Sequence, residues 1–175
     1  MNDMNNLYRQ IIMDHYKSPR HKGLKGYKCE HLHNPSCGDD ITVEAKIENG
    51  KLVEVNHDGA GCSICCSSAS VMSELLSGKD VNEAKEIIED YFNMIKGEEI
   101  KDEDRLEDAL VYQGVSQFPA RMKCATISWQ ALKDVINDDT DGDKKWVIKI
   151  SNQSSAIISL DLKQMQKLLL QLVKG

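Results

Sequence analysis

Three of the chain's six cysteines fall within Gly59-Ala60-Gly61-Cys62-Ser63-Ile64-Cys65-Cys66, a junction suited to metal or thiol chemistry. Glycines on its N-terminal side permit a tight reversal of the backbone, and Ser63 is expected to cap a helix that begins just after it. A thiol at such a junction meets unpaired backbone N–H groups and the positive end of a helix dipole, which both favour the thiolate. The other cysteines, Cys29, Cys37 and Cys124, stand alone. Cys62-x-x-Cys65 has the separation of a zinc knuckle or a redox dithiol. A zinc ribbon would need a second close pair, however, and a thioredoxin-like site would sit in a βαβ unit.

The elements that must position these groups follow from the hydrophobic period. Met4, Leu7, Tyr8, Ile11, Ile12 and His15 predict an amphipathic helix ending before Ser18-Pro19. His15 and His21 read as packed or solvated side chains and stay outside the site. Ile41, Val43, Ala45 and Ile47 alternate with polar residues as a half-buried strand requires, and Asn49-Gly50 announces a hairpin. A three-residue loop with Gly50 left-handed is preferred to a two-residue turn, because it opposes Ala45 to Val53 and Val43 to Val55. The return strand, Lys51 to about Asp58, runs into the junction. Antiparallel pairing then carries Cys37, just before the first strand, to the same end of the sheet as Cys62.

Beyond the junction, Cys65, Ala69, Met72 and Leu76 form a helical stripe with Gly78 as its C-cap. On that stripe Cys65 reads as a small buried hydrophobe, whereas Cys66, four positions after Cys62, is able to approach the site. Asp80 with Glu83 starts a second helix whose apolar face is Val81, Ala84, Ile87, Ile88, Tyr91, Phe92 and Ile95. The charged stretch from Gly97 to Arg105 is a solvated connection, and Leu106, Ala109 and Leu110 predict a short helix. Pro119 opens the next helix. Its stripe of Met122, Ala125, Trp129, Leu132 and Ile136 faces the core and leaves Arg121, Cys124 and Ser128 on a flanking face.

Asn137 to Gly142 has the composition of a calcium loop, but its twelfth position is Ile148 where a bidentate glutamate is needed, so it reads as an acidic linker. After it come two β-like runs, Trp146 to Ile150 and Ala156 to Leu160. A last helix starts at Asp161 and carries Leu162, Met165, Leu168, Leu169 and Leu172. The expected architecture is α+β: a small antiparallel sheet with helices packed on one face over residues 1–137, a linker at 138–145, and a hairpin-and-helix appendage at 146–175.

Composition bounds the function. A chain of 175 residues holds one domain with a substantial core plus an appendage. Its net charge of −6 disfavours a nucleic-acid partner. No run approaches the ~20 apolar residues that span a membrane, and the polar start is unlike a signal peptide. A cytoplasmic location is therefore expected, where cysteines serve metals and thiol chemistry more than disulfides.

Four motifs, taken in order, resemble the IscU/SufU family of iron–sulfur cluster assembly proteins: Leu7-Tyr8-Arg9-Gln10-Ile11-Ile12-Met13-Asp14-His15-Tyr16-Lys17-Ser18-Pro19-Arg20-His21, Asn34-Pro35-Ser36-Cys37-Gly38-Asp39, Gly61-Cys62-Ser63-Ile64 and Arg121-Met122-Lys123-Cys124-Ala125. The resemblance extends from about Met4 to Asn137. IscU-type scaffolds carry a histidine immediately before the last cysteine, where this chain has Lys123. The 62 positions from Cys62 to Cys124 also look like the insertion of the SufU branch.

The resemblance implies a zinc-dependent sulfurtransferase that accepts persulfide sulfur from a SufS-type cysteine desulfurase and passes it toward a downstream iron–sulfur assembly scaffold. It implies Cys37, Asp39, Cys62 and Cys124 as zinc ligands, Cys37 as the sulfur acceptor, and Arg121 as a site residue that engages the desulfurase. Small or apolar residues usually occupy the positions of Cys65 and Cys66 in the family, so Cys65 stays open as a substitute for Asp39 or as an onward sulfur acceptor. Two competing readings use the same residues: a scaffold on which a [2Fe–2S] cluster is assembled, and a zinc-stabilised adaptor whose C-terminal hairpin and helix carry the function.

Overall fold

The computed structural model describes residues 2–140, 146–148, 158–160 and 170. Three strands, β1 (Lys28–Asn34), β2 (Asp39–Glu48) and β3 (Lys51–Ala60), lie side by side in that order as an antiparallel sheet. β2 and β3 form because the alternate residues Ile41, Val43 and Ala45 of β2 are buried on one face together with Leu52 and Val55 of β3. β1 is an addition to the expected hairpin. Its residues Cys29, His31 and His33 are exposed, and the half-buried positions between them are Glu30 and Leu32, so no alternation of apolar residues announces it. It is held by register with β2, Lys28 opposite Ala45 and Asn34 opposite Asp39.

The β2–β3 register corrects the expected three-residue loop. Asn49 and Gly50 both take left-handed backbone (φ 51 and 74) and form a two-residue turn with Glu48 opposite Lys51. A bulge follows between Lys46 and Ile47, so that Ala45 faces Val55 and Val43 faces His57. Asparagine tolerates the left-handed region, which is what permits the shorter turn. The extra residue is absorbed near Val53, which is 44% exposed, and Leu52 and Val55 both stay inside.

Helices cover the buried face: α1 (Asn2–Lys17), α2 (Ser63–Leu76), α3 (Val81–Lys96) and α4 (Pro119–Thr140), with a kinked 3-10 segment, Glu103–Gln117, between the last two. α2 packs on β3, and α1 packs on α2. α2 is buried along most of its length although four serines, Ser67, Ser68, Ser70 and Ser73, lie on the buried stretch, because each of their hydroxyls finds a partner. Ser68 donates to the Ala125 carbonyl at 2.7 Å and accepts the Trp129 indole N–H at 2.9 Å. Ser67 accepts the Tyr112 hydroxyl at 2.7 Å. Tyr91 stacks on Trp129 with centroids 3.8 Å apart and donates to the same Ala125 carbonyl. These bonds tie α3, α4 and the 3-10 segment to α2, and they fix where α4 presents Cys124.

Two cap assignments also change. The N-cap of α2 is Cys62 rather than Ser63, and its C-cap is Ser77, with Gly78 left-handed just beyond. Asp80 caps α3 as expected, and Gly97 closes it.

A second compact unit, Asn137–Gly175, contains the short antiparallel pair β4 (Trp146–Ile148) and β5 (Ile158–Leu160), with Trp146 opposite Leu160. The outer residues of the two expected runs and the helix expected from Asp161 lie outside the described residues. No helix among the described residues is long and apolar enough to cross a membrane.

On the other face of β2 the buried Glu44 holds the loop before β1. Its carboxylate accepts the backbone N–H groups of Lys25, Gly26 and Tyr27 and the Asn56 amide, all within 3.0 Å. Burial opposes its charge, but these donors outweigh that and lower its pKa below 4.5. A folded value below the unfolded one means that the stabilisation is complete above pH 4.5 and is lost as pH falls through the folded value. Glu44→Gln is expected to destabilise the protein by about 1–3 kcal/mol at pH 7 in urea unfolding, because the buried side chain loses its charge and one of its two acceptor oxygens while four donors converge on it. The gap to wild type should narrow in acid.

Candidate metal centre

The β1–β2 turn and the β3–α2 junction lie at one end of the sheet, where Asp40 pairs with Ala60. Cys37 sits on that turn with Gly38 left-handed after it (φ 69). The Cys37 and Gly38 N–H groups both donate to the Asn34 carbonyl. Asp39 opens β2 and is fully buried. α4 brings the third group: Cys124 has no solvent exposure, while Cys37 is half-buried. One donor atom each from Cys37, Asp39 and Cys124 lie within 4.8 Å of one another.

Cys62 stands at the edge of this cluster. Its Sγ accepts the Cys65 backbone N–H at 3.5 Å as the cap of α2, and its own N–H donates to Asp39 Oδ1 at 3.0 Å. Arg121 is exposed, one turn before Cys124. The bond with Cys124 and the charges of Cys62, Cys37 and Cys124 raise its pKa further and keep it cationic.

Burial raises the pKa of the Asp39 carboxyl, but hydrogen bonds from the Cys124 thiol, the Cys62 N–H, Asn34 and the Cys62 thiol outweigh it, and the net shift is downward. For Cys124 every influence acts upward: burial first, then its bonds to Cys37 and Asp39. The protein alone thus holds one buried carboxylate and keeps Cys124 a neutral thiol. A divalent cation would reverse the second preference, because a coordinating thiol gives up its proton. Thiolate and carboxylate donors in one small volume suit a tetrahedral Zn2+. Cys37, Asp39 and Cys124 are grouped closely enough to hold it, and Cys62, expected as the fourth ligand, stands beside them outside that group.

Two residues that the sequence reading passed over shape this centre. Asn34 is buried, donates to Asp39 Oδ2 at 3.0 Å and lies 3.8 Å from Cys124 Sγ. Gly61 leaves room for the carboxylate: a Cβ there would stand 2.7 Å from Asp39 Oδ1 and 3.2 Å from Cys65 Sγ. Asn34 belongs to the Asn34-Pro35-Ser36-Cys37-Gly38-Asp39 motif, and that was the available signal.

Cys65 is fully buried, as its place on the apolar stripe predicts. Cys66 is half-buried, with its thiol 3.5 Å from the Gly61 carbonyl. It lines a separate cavity of about 420 Å³ with Lys22 and His57. Cys29 is exposed on β1, away from the cluster. Lys123 is exposed and contributes no donor to it.

Comparison with known proteins gives the family of the chain. The family model described as NifU-like N terminal domain matches residues 7–125. A zinc-dependent sulfurtransferase SufU of Bacillus subtilis is 41% identical over 141 residues, 80% of this chain and 96% of that protein. An iron–sulfur cluster assembly scaffold protein IscU of Streptococcus pyogenes is 36% identical over 137 residues, 78% of this chain and 86% of that one. A crystal structure from Fervidobacterium islandicum, described as a candidate iron–sulfur cluster assembly scaffold protein for the SUF system, superposes with a TM-score of 0.67 at 33% identity. That alignment covers 73% of this chain and 94% of the other.

If Asn34 orients the carboxylate, Asn34→Ala is expected to weaken Zn2+ binding about tenfold in chelator competition. Circular dichroism should remain that of wild type.

Proposed function

The chain belongs to the iron–sulfur cluster assembly family that carries the NifU-like N-terminal domain, and on that premise we propose that it is a zinc-dependent sulfurtransferase taking persulfide sulfur from a SufS-type cysteine desulfurase. The observation that carries the reading is the unequal exposure of the cluster: Cys37 is half-buried on a turn, whereas Asp39 and Cys124 have no exposure. A partner's persulfide can reach the first while the other two stay held. The greater identity to the B. subtilis sulfurtransferase than to the S. pyogenes scaffold points the same way. In this proposal the chemistry lies within residues 1–137, in the cytoplasm.

The transfer is a thiol–persulfide exchange. The Cys37 thiolate attacks the outer sulfur of the desulfurase persulfide. A new S–S bond forms to Cys37, the S–S bond of the partner breaks, and the partner cysteine leaves as a thiolate. No net oxidation occurs, so no external oxidant or reductant is required. Zn2+, when bound, keeps the thiols deprotonated near neutral pH and adds no redox chemistry of its own. Arg121 offsets the negative charge that three thiolates and a carboxylate accumulate, and it presents a planar donor to a carboxylate of the partner. Gly38, left-handed beside Cys37, gives the turn the freedom to move its thiol outward.

The deciding experiment measures metal content and desulfurase stimulation together. Wild-type protein is expected to hold about one thiolate-bound Zn2+ per chain and to accelerate the desulfurase, and Cys37→Ala to lose the acceleration. Arg121→Ala should weaken the functional interaction with the desulfurase while retaining zinc. A coloured iron-bound form that leaves the desulfurase unaffected would replace this reading with that of a [2Fe–2S] scaffold.

A further inference from the structure

We propose that a second metal site, independent of the cysteine cluster, lies where α1, α2 and the 3-10 segment meet, with His15, Glu74 and Asp108 as donors to a transition-metal dication such as Zn2+ or Co2+. The sequence reading set His15 aside as a packed side chain. It is packed, at 2% exposure, but its ring is not fully partnered. Nδ1 bonds the Ser70 hydroxyl at 2.8 Å, and Nε2 makes no hydrogen bond among the described residues. Nε2 instead faces two carboxylates, Glu74 Oε2 at 3.7 Å and Asp108 Oδ2 at 3.6 Å.

These spacings exceed a hydrogen bond and fit ligands around an ion. Tetrahedral bonds of ~2.1 Å place neighbouring donors ~3.4 Å apart. One donor atom from each of the three residues lies within 4.8 Å of the others, the same bound that the cysteine cluster meets. The ring is also oriented as a metal-binding histidine usually is, with its second nitrogen held by a fixed partner. Ser70 Oγ is itself fixed, because it accepts the Arg20 backbone N–H at 2.8 Å.

The site is open on its carboxylate side. Glu74 and Asp108 are 51% and 57% exposed, so water can complete the coordination. One imidazole and two carboxylates form a borderline-hard donor set with no thiol, so an ion bound there lacks the sulfur donors that mark the cysteine cluster. Arg20 is the competitor already in place. Its Nε lies 3.8 Å from Glu74 Oε2, while its terminal nitrogen bonds Asp14 at 2.6 Å. Occupation by an ion would join the N-terminal helix to α2 and the 3-10 segment at a position the sulfur chemistry does not use.

The alternative for the same residues is an ion pair between protonated His15 and the two carboxylates, and Co2+ titration separates the two. Cobalt on thiolates absorbs strongly in the near ultraviolet through charge transfer, whereas cobalt on imidazole and carboxylate shows only weak visible bands. Full-length wild type is expected to take up one more Co2+ per chain than the Glu74→Gln/Asp108→Asn variant, and the additional ion should lack the charge-transfer band. The exposure of both carboxylates lets that variant keep its fold, which circular dichroism checks. Ser70→Ala is expected to weaken the additional ion about tenfold, and Arg20→Gln to tighten it. Equal Co2+ uptake by wild type and the double variant would overturn the proposal, as would charge transfer from the additional ion. Neither result bears on Cys37, so this site and the sulfurtransferase reading stand or fall separately.

Discussion

A buried carboxylate at the end of a sheet organises the cysteine site. Asp39 has no solvent exposure, and an ionised carboxylate left unpaired in such a place would cost several kcal/mol. Everything near it reduces that cost. The Cys62 N–H at the start of α2 and the Asn34 amide donate to its two oxygens, and Gly61 makes room by having no side chain. The α2 N-terminus thus serves the site through one backbone N–H, while Cys62 Sγ caps the helix itself.

The same constraint accounts for the shape of the rest of the fold. α4 must place Cys124 against Asp39, and what holds α4 there is a polar network inside an otherwise apolar core. The Ala125 carbonyl, one residue after Cys124, receives the hydroxyls of both Ser68 and Tyr91. Trp129, one turn further, is pinned by its indole N–H to Ser68 and by its ring to Tyr91. Fully satisfied networks of this kind specify one packing rather than many. The serines of α2, which look out of place on a buried helix, connect the site helix to the elements behind it. Ser128 Oγ alone stays buried without a partner among the described residues, and nothing in the structure explains it.

Charge distribution separates the two histidine environments in the same way. His57 is held neutral by burial, with its ring N–H spent on the Arg20 carbonyl. Its backbone is bridged to His21 and Gly23, which fastens the loop after α1 to β3. His15 lies across that loop from it in the chain and is equally buried, but it faces carboxylates instead of a carbonyl. The difference between a sealed histidine and an available one depends on these neighbours.

Residue order alone was enough for α1 to α4, the β2–β3 hairpin, the convergence of Cys37 and Cys62 at one end of the sheet and the burial of Cys65, because each rests on local periodicity or on antiparallel geometry. The resemblance of four short motifs carried the family. What residue order could not supply came from contacts distant in the chain. β1 lacks an alternating pattern and exists through pairing with β2. The hairpin register turned on whether a bulge fell in the turn or beyond it, and Leu52 and Val55 could stay inside only with the bulge beyond it. Cys62 against Ser63 as the helix cap was decided by which side chain met the Cys65 N–H. The roles of Asn34 and Gly61, and the meeting of His15 with Glu74 and Asp108, depend on distances between elements far apart in sequence. Such distances are set by core packing, to which no single segment holds the key.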